Sequence, residues 1–262
     1  MGALDDKVIV IIGGTTGMGL SGARAFLAAG AKGIVIVGRT PENCAAALKV
    51  LGSRVRASVG DATNPQTATD AIAMAQQEFG DFHGLYHVAG GSGRRFGDGP
   101  LHELTDEGWS KTIEWNLTSA MYSSRAAVQA MLAQGRGGAV VILGSILGQS
   151  PSPKFFTTHA YAAAKSAVLG FAKAVAANYA ADNIRCNVLA PSLVATPMSA
   201  RVAGDDAVLN FIKTKQPLDG GRIGQPEDLD AAAVLLISDG GKFITGQVLA
   251  VDGGWEVSEG QY

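Results

Sequence analysis

The stretch KVIVIIGGTTGMGLSGARAFLAA, residues 7–29, decides the fold. It opens on Lys7–Ile12, a continuous apolar run of strand length, as expected of a strand covered on both faces. Gly13, Gly14, Thr15, Thr16, Gly17, Met18 and Gly19 follow, and a segment with alanine and leucine at helical spacing, about Met18–Ala29, comes next. Strand, glycine turn and helix in this order suit a pyrophosphate: Gly13 and Gly17 allow close backbone approach, and Gly19 lets helix and strand pack. The free N–H groups at the helix start bind anionic oxygens. A tight structural turn would use similar residues, so the weight comes from position, on the first strand of an alternating chain.

That alternation continues outward. Strands are predicted at Lys7–Ile12, Gly33–Gly38, Arg54–Val59, Gly84–Ala89, Ala139–Gly144, Ile184–Leu189 and Gln247–Val251. Helices are predicted between them at Met18–Ala29, Glu42–Leu51, Pro65–Phe79, Asp106–Ala133, His159–Ala180 and Pro226–Ile237. No Pro/Gly/Ser-rich linker divides the strands into two sets. The expectation is an α/β chain: a single doubly wound, Rossmann-type domain over residues 1–262, with a mostly parallel seven-stranded sheet and helices on both faces. Two stretches break the rhythm, Gly90–Pro100 with Arg94 and Arg95, and an irregular or weakly helical segment at 193–221. Both follow a strand's carboxyl end, where ligands of open parallel sheets bind, and are expected to wall a substrate cleft.

Hydrophobic residues make up 47% and charged residues 17% of the chain, against about 25% charged in an ordinary domain, which points to an extensive core. A net charge of −2, with 21 basic and 23 acidic residues interspersed, offers no basic footprint for nucleic acid or an anionic membrane. No stretch approaches the roughly 20 apolar residues of a membrane span, and the expected location is the cytoplasm. Cys44 and Cys186 stand apart and His83, His87, His102 and His159 show no ligand spacing, so neither a disulfide nor a metal is expected.

Tyr161 and Lys165 lie four apart on a predicted helix and project from one face. A free phenol has a pKa of about 10, and a nearby ammonium favours its ionised form, so Lys165 can tune Tyr161 into a general acid or base. A surface helix pair would show the same spacing. Ser145 changes the balance, because it places a hydroxyl at the carboxyl end of the strand Ala139–Gly144, where a donor for a substrate carbonyl belongs.

With these residues in view, the sequence resembles the short-chain dehydrogenase/reductase family from Lys7 to Trp255. The resemblance rests on the Gly13–Gly19 turn, Asp61, Ala89-Gly90, Asn116, Ser145, Tyr161 with Lys165, Pro191 with Thr196, and Ile244–Gln247 through Asp252–Gly254. It implies catalysis by Asn116, Ser145, Tyr161 and Lys165. Ser145 would bond the substrate oxygen and Tyr161 transfer its proton. Lys165 would lower the phenol's pKa and hold the nicotinamide ribose, and Asn116 would hold a water linking Lys165 to solvent. It further implies cofactor contacts from the glycine turn, Asp61 and Ala62 at the adenine, the segment Val88-Ala89-Gly90, and Pro191, Val194 and Thr196 at the carboxamide. Without the family, Asn116 reads as an ordinary helix polar residue and Asp61 equally as a helix cap. The family's Asn-Asn-Ala-Gly is here His87-Val88-Ala89-Gly90, its Pro-Gly is Pro191-Ser192, and the insert Ser150–Thr158 lengthens the interval from Ser145 to Tyr161.

The expected partner is a small carbonyl or alcohol substrate, with NADP(H) favoured and NAD(H) the alternative. The second predicted strand ends in Gly38-Arg39-Thr40, with no carboxylate for ribose hydroxyls but a guanidinium suited to a 2′-phosphate, assisted by the hydroxyls of Thr15, Thr16 and Thr40. The leading reading is an NADPH-dependent reductase of the 3-oxoacyl carrier-protein and ketone reductase branch. Alternatives are an NAD-dependent alcohol, polyol or sterol dehydrogenase, and a non-catalytic dinucleotide-binding regulator. The alanine-dense helix His159–Ala180 and the resemblance together imply a homodimer or homotetramer.

Overall fold

Seven short apolar runs form the strands β1 (Val8–Ile12), β2 (Gly33–Gly38), β3 (Val55–Val59), β4 (Gly84–His87), β5 (Gly138–Leu143), β6 (Ile184–Pro191) and β7 (Val248–Val251). The structure, a computed structural model, describes residues 2–202 and 204–261. Met1, Ala203 and Tyr262, which the expected span 1–262 includes and of which Ala203 falls in the 193–221 stretch, lie outside the described residues. Among the described residues the strands make one sheet in the order β3-β2-β1-β4-β5-β6-β7, and every pairing is parallel.

Alternation along each strand sends side chains to opposite faces. Val8, Val10 and Ile12 of β1 and Val35 and Val37 of β2 pack on α3 (Gln66–Phe79), through Ala71 and Ile72, and Val140 and Ile142 of β5 belong to the same cluster. Two later helices, α5 (Ser119–Gln134) and α6 (His159–Tyr179), cover the same face through Ala127, Met131, Val168 and Ala172. Ile9, Ile11, Ile34 and Ile36 face α1 (Gly17–Ala28), α2 (Pro41–Leu51) and α8 (Asp230–Ile237). All of these strand residues are at most 1% exposed, and burying one such side chain stabilises by about 1.5–3 kcal/mol. A third cluster lies beyond the carboxyl ends of the strands. It joins Phe211 and Ile212 of α7 (Asp206–Lys215) to Ile146, Val202 and Trp255.

β1 sits between β2 and β4, so the connections leave it on either side and open a crevice at its carboxyl end. The predicted strands are all present, displaced by one or two residues at their ends. The expected helix Pro226–Ile237 begins as a 3-10 turn, Pro226–Leu229, before α8, and two further stretches differ from expectation. Asp106–Ala133 is not one regular helix: α4 (Asp106–Ile113) passes through a π-helical segment, Glu114–Thr118, into α5. The cause lies in side chains that bond carbonyls four residues back: Thr112 to Gly108, Asn116 to Thr112, Ser119 to Trp115 and Ser123 to Ser119. Such bonds compete with the regular ladder. The 193–221 stretch carries the ordered helix α7, whose first amides, at Ala207 and Val208, bond the Asp205 carboxylate.

Candidate active site

β5 ends at Leu143, and Gly144 carries the chain to Ser145, whose Oγ accepts the Leu147 N–H at 3.2 Å. The turn that follows presses against α6 at Gly148, where a Cβ would lie 2.8 Å from the backbone carbon of Lys165. This close approach brings Ser145 to Tyr161, the third residue of α6. Burial pushes the phenol above its ordinary value, and a hydrogen bond with the Ser145 hydroxyl pulls the other way.

Lys165 lies one turn deeper and is 3% exposed. Its Nζ donates to the Leu143 carbonyl at 2.8 Å and stands 5.6 Å from the centre of the Tyr161 ring. Burial pulls its pKa down to about 8. For Tyr161, burial outweighs the bond with Ser145. The phenol stays protonated at neutral pH, the form a proton donor needs.

Asn116, 1% exposed, sits in the π-helical segment. Its Nδ2 donates to Gly91 O at 2.8 Å and Thr112 O at 2.9 Å, while its Oδ1 accepts the Gly91 N–H at 3.2 Å. Both donor hydrogens are engaged, leaving acceptor capacity on Oδ1. Gly90 fits between this amide and the lysine: a Cβ there would be 2.7 Å from Asn116 Oδ1 and 3.6 Å from Lys165 Nζ.

The four side chains share one open cleft of about 180 Å³ with Met18, Val88, Gly90, Pro191, Val194 and Thr196. The glycine turn adjoins it. Gly13 has φ +89, and a Cβ on it would lie 2.8 Å from the Ala89 nitrogen; on Gly17, φ +51, it would lie 3.3 Å from Thr196 Cγ2. Gly19 packs against Gly13 O, where a Cβ would come within 2.1 Å. Thr16, the residue before α1, offers no side-chain cap, and no acidic residue stands in the first turn, so the amide end of α1 faces the cleft uncapped by its own side chains.

A family model described as Enoyl-(Acyl carrier protein) reductase matches residues 13–256. The chain belongs to the short-chain dehydrogenase/reductase family. It is 34% identical over 253 residues to a 3-oxoacyl-(acyl-carrier-protein) reductase of Chlamydia trachomatis, covering 97% of this chain and 98% of that one. It is 35% identical over 257 residues to a 2-(S)-hydroxypropyl-CoM dehydrogenase 3 of Xanthobacter autotrophicus, covering 96% and 97%. A solved short-chain type dehydrogenase/reductase from Mycobacterium ulcerans superposes with a TM-score of 0.89 at 32% identity, over 98% of this chain and 92% of that one. As a member of this family, the chain is an oxidoreductase that moves a hydride between a nicotinamide and a carbonyl or alcohol.

Within this family member, other expected residues stand outside that cleft. Thr15 lies over Gly38, with Arg39 and Thr40 exposed beyond it. The Asp61 carboxylate accepts from the backbone and hydroxyl of Thr63 at 2.9 and 2.8 Å, a turn before α3, and the neighbouring Ala62 packs on the core. His87 turns away from the cleft into α5, with Nδ1 3.0 Å from Ser123 Oγ and Nε2 3.4 Å from Ser119 Oγ. Burial and the Lys165 charge bring its pKa down to about 3, so it is neutral. Of the two departures from the family's asparagines, His87 thus falls in the interior and Val88 lines the cleft, as does Ser192.

Of the two neighbouring arginines, Arg94 lines the cleft, whereas Arg95 lies over the rings of Phe96 and Trp115 at 4.7 and 5.2 Å. His159 bonds Gly99 O at 2.8 Å and does not reach the cleft. The insert contributes to it: Phe156 forms part of the wall and meets the Trp255 ring at 5.5 Å. Sequence reasoning missed Trp255 and Phe156 as wall residues. Phe155 and Phe156 within the insert were the available signal.

Proposed function

We propose that this chain is an NADPH-dependent reductase of small to medium carbonyl compounds. The observation that carries this reading is the Ser145 and Tyr161 hydroxyl pair at the end of β5, with the Lys165 ammonium buried one helical turn below. In this reading Ser145 donates a hydrogen bond to the substrate oxygen, and Tyr161 gives that oxygen its proton. Lys165 stabilises the phenolate left behind. Asn116 anchors Gly91, and its remaining acceptor site would hold a water on the path to Lys165.

The uncapped amide end of α1 and the contacts a Cβ would make at Gly13 and Gly19 fit a dinucleotide. Gly13, Thr15, Thr16, Gly17, Met18 and Gly19 would hold its pyrophosphate, and Asp61 and Ala62 its adenine. Val88, Ala89 and Gly90, with Tyr161 and Lys165, would hold the nicotinamide ribose, and Pro191, Val194 and Thr196 the carboxamide. A bound nicotinamide supplies the hydride. Arg39 and Thr40 would hold a 2′-phosphate. Support for the phosphate comes from Gly38, where a Cβ would lie 2.5 Å from Thr15 Cγ2, so the position holds no carboxylate.

The relative named as a dehydrogenase favours a second reading, oxidation of an alcohol by the same groups in reverse. The test is carbonyl-dependent consumption of NADPH by the purified protein across 3-oxoesters, diketones, quinones, sugars and steroids. At least one should be reduced. Turnover of alcohols alone, with NAD, would refute the leading reading.

We also infer a cytoplasmic dimer or tetramer. Among the described residues no helix is long and apolar enough to cross a membrane. On α6, Ala167, Gly170, Ala174 and Ala177 remain exposed at helical spacing, which allows close approach of a second copy beside α5. A monomeric mass by light scattering would contradict the assembly.

A further inference from the structure

Tyr161 stands in the first turn of its helix. The first amides of a helix have no partner inside it, so the first turn frays unless capped. Thr158, the residue before α6, is of the right type to cap, yet its hydroxyl donates instead to Phe156 O at 3.2 Å and makes no capping bond. Lys165, one turn on, is held by burial and by Leu143 O. Tyr161 therefore depends on whatever secures the first turn.

The cap comes from another part of the chain. Asp98, in the loop after β4 and only 3% exposed, accepts the Ala160 N–H through Oδ1 and the Tyr161 N–H through Oδ2, each at 3.0 Å. These are charge-assisted bonds at the positive end of the helix dipole. The loop is aimed by its neighbours. Gly97 turns at φ +96 and lies so close to Gly108 of α4 that a Cβ on Gly108 would stand 2.6 Å from the Gly97 carbonyl carbon. Beside it, His159 Nδ1 lies 2.8 Å from Gly99 O, a second tie between this loop and α6. The loop's other end is bound at Gly91 by Asn116, and between these anchors Ser92 and Arg94 line the cleft.

We propose that Asp98 is a positioning residue: it caps α6 from 62 residues upstream and holds Tyr161 in register with Ser145, coupling the cleft loop to the proton donor. The inference rests on Tyr161 being the proton donor proposed above. It explains why the catalytic tyrosine can stand in a first turn without a local cap. It also gives the substrate loop a direct mechanical tie to the reacting hydroxyl.

The test compares wild type, Asp98→Ala and Asp98→Asn by amide hydrogen exchange and by kinetics. In Asp98→Ala, exchange should accelerate by about tenfold or more in residues 158–163 and stay unchanged in residues 168–179. Its kcat should fall by about tenfold or more, with the dissociation constant for NADPH moving less than about threefold. Asp98→Asn keeps one acceptor and should recover part of both effects, and it carries the test alone if the alanine variant does not fold. Unchanged exchange in the first turn would overturn the proposal. So would acceleration along the whole of α6 with cofactor affinity lost in step, which marks general destabilisation. A kcat within about twofold of wild type would overturn it as well. Should Tyr161→Phe retain full turnover, the proton-donor reading fails, while the exchange measurements still decide whether Asp98 secures the turn.

Discussion

Replacing Tyr161 with phenylalanine lowers kcat by about 10²–10⁴-fold, the usual contribution of a positioned proton donor, and weakens NADPH binding by about tenfold at most, the cost of one hydrogen bond to the ribose. The split follows from what the change removes. The ring remains to pack beside Lys165, whose Nζ is 5.6 Å from its centre, while the oxygen that bonds Ser145 is lost. Turnover is read from nicotinamide absorbance and affinity from nicotinamide fluorescence. Activity within a few-fold of wild type would remove Tyr161 from the chemistry. The same assays carry a pH dependence. Lys165, brought down to about 8 by burial, keeps its charge below that pH and loses it as pH rises through it. The value of kcat/KM for the cofactor, which reports the free enzyme, should be level below about 8 and fall above it. The Phe variant should show the same fall, because Lys165 and not the phenol is titrating.

Arg39→Asp reverses the choice of cofactor. In the wild type, NADPH should exceed NADH in kcat/KM by about ten- to a hundred-fold, since one charge-assisted hydrogen bond contributes about 1.5–3 kcal/mol. The aspartate variant should favour NADH, because a carboxylate there repels a 2′-phosphate and accepts from ribose hydroxyls. In the proposed reading Arg39 makes the distinction. Gly38 before it carries no side chain and lies against Thr15, and Arg39 itself is exposed, where a phosphate can reach it. Exposure also makes the preference sensitive to ionic strength. A wild type that uses NADH equally well would show Arg39 to be a solvated strand-end residue.

The doubly wound sheet was legible because each of its parts has a short-range signature. Val8 to Ile12 form one unbroken apolar run, the glycines at 13, 17 and 19 lie between that run and a helical pattern, and Tyr161 and Lys165 meet by helical spacing alone. Contacts between distant segments left no such trace. Asp98 looks like any loop aspartate until the fold brings it to the amides of Ala160 and Tyr161. The π-helical segment around Asn116 depends on where its amide finds partners, at Gly91 and Thr112, and not on helix propensity. Arg94 and Arg95 are neighbours in sequence, yet a single turn, Arg94–Phe96, sends one to the cleft and the other over two aromatic rings. The depth of burial around the phenol left no trace either. Helical spacing shows that Lys165 is near Tyr161, whereas the burial that dominates the phenol and pulls the ammonium down belongs to the assembled core.

We propose above that this protein reduces a carbonyl with hydride from NADPH and a proton from Tyr161. The most direct test uses NADPH deuterated at the transferable position of nicotinamide C4, with whichever carbonyl compound the panel finds to be turned over, and mass spectrometry of the product. One deuterium should appear on the former carbonyl carbon with the wild type, and its rate of appearance should drop about 10²–10⁴-fold with Tyr161→Phe. Product without deuterium, or equal label transfer by both proteins, would contradict the account.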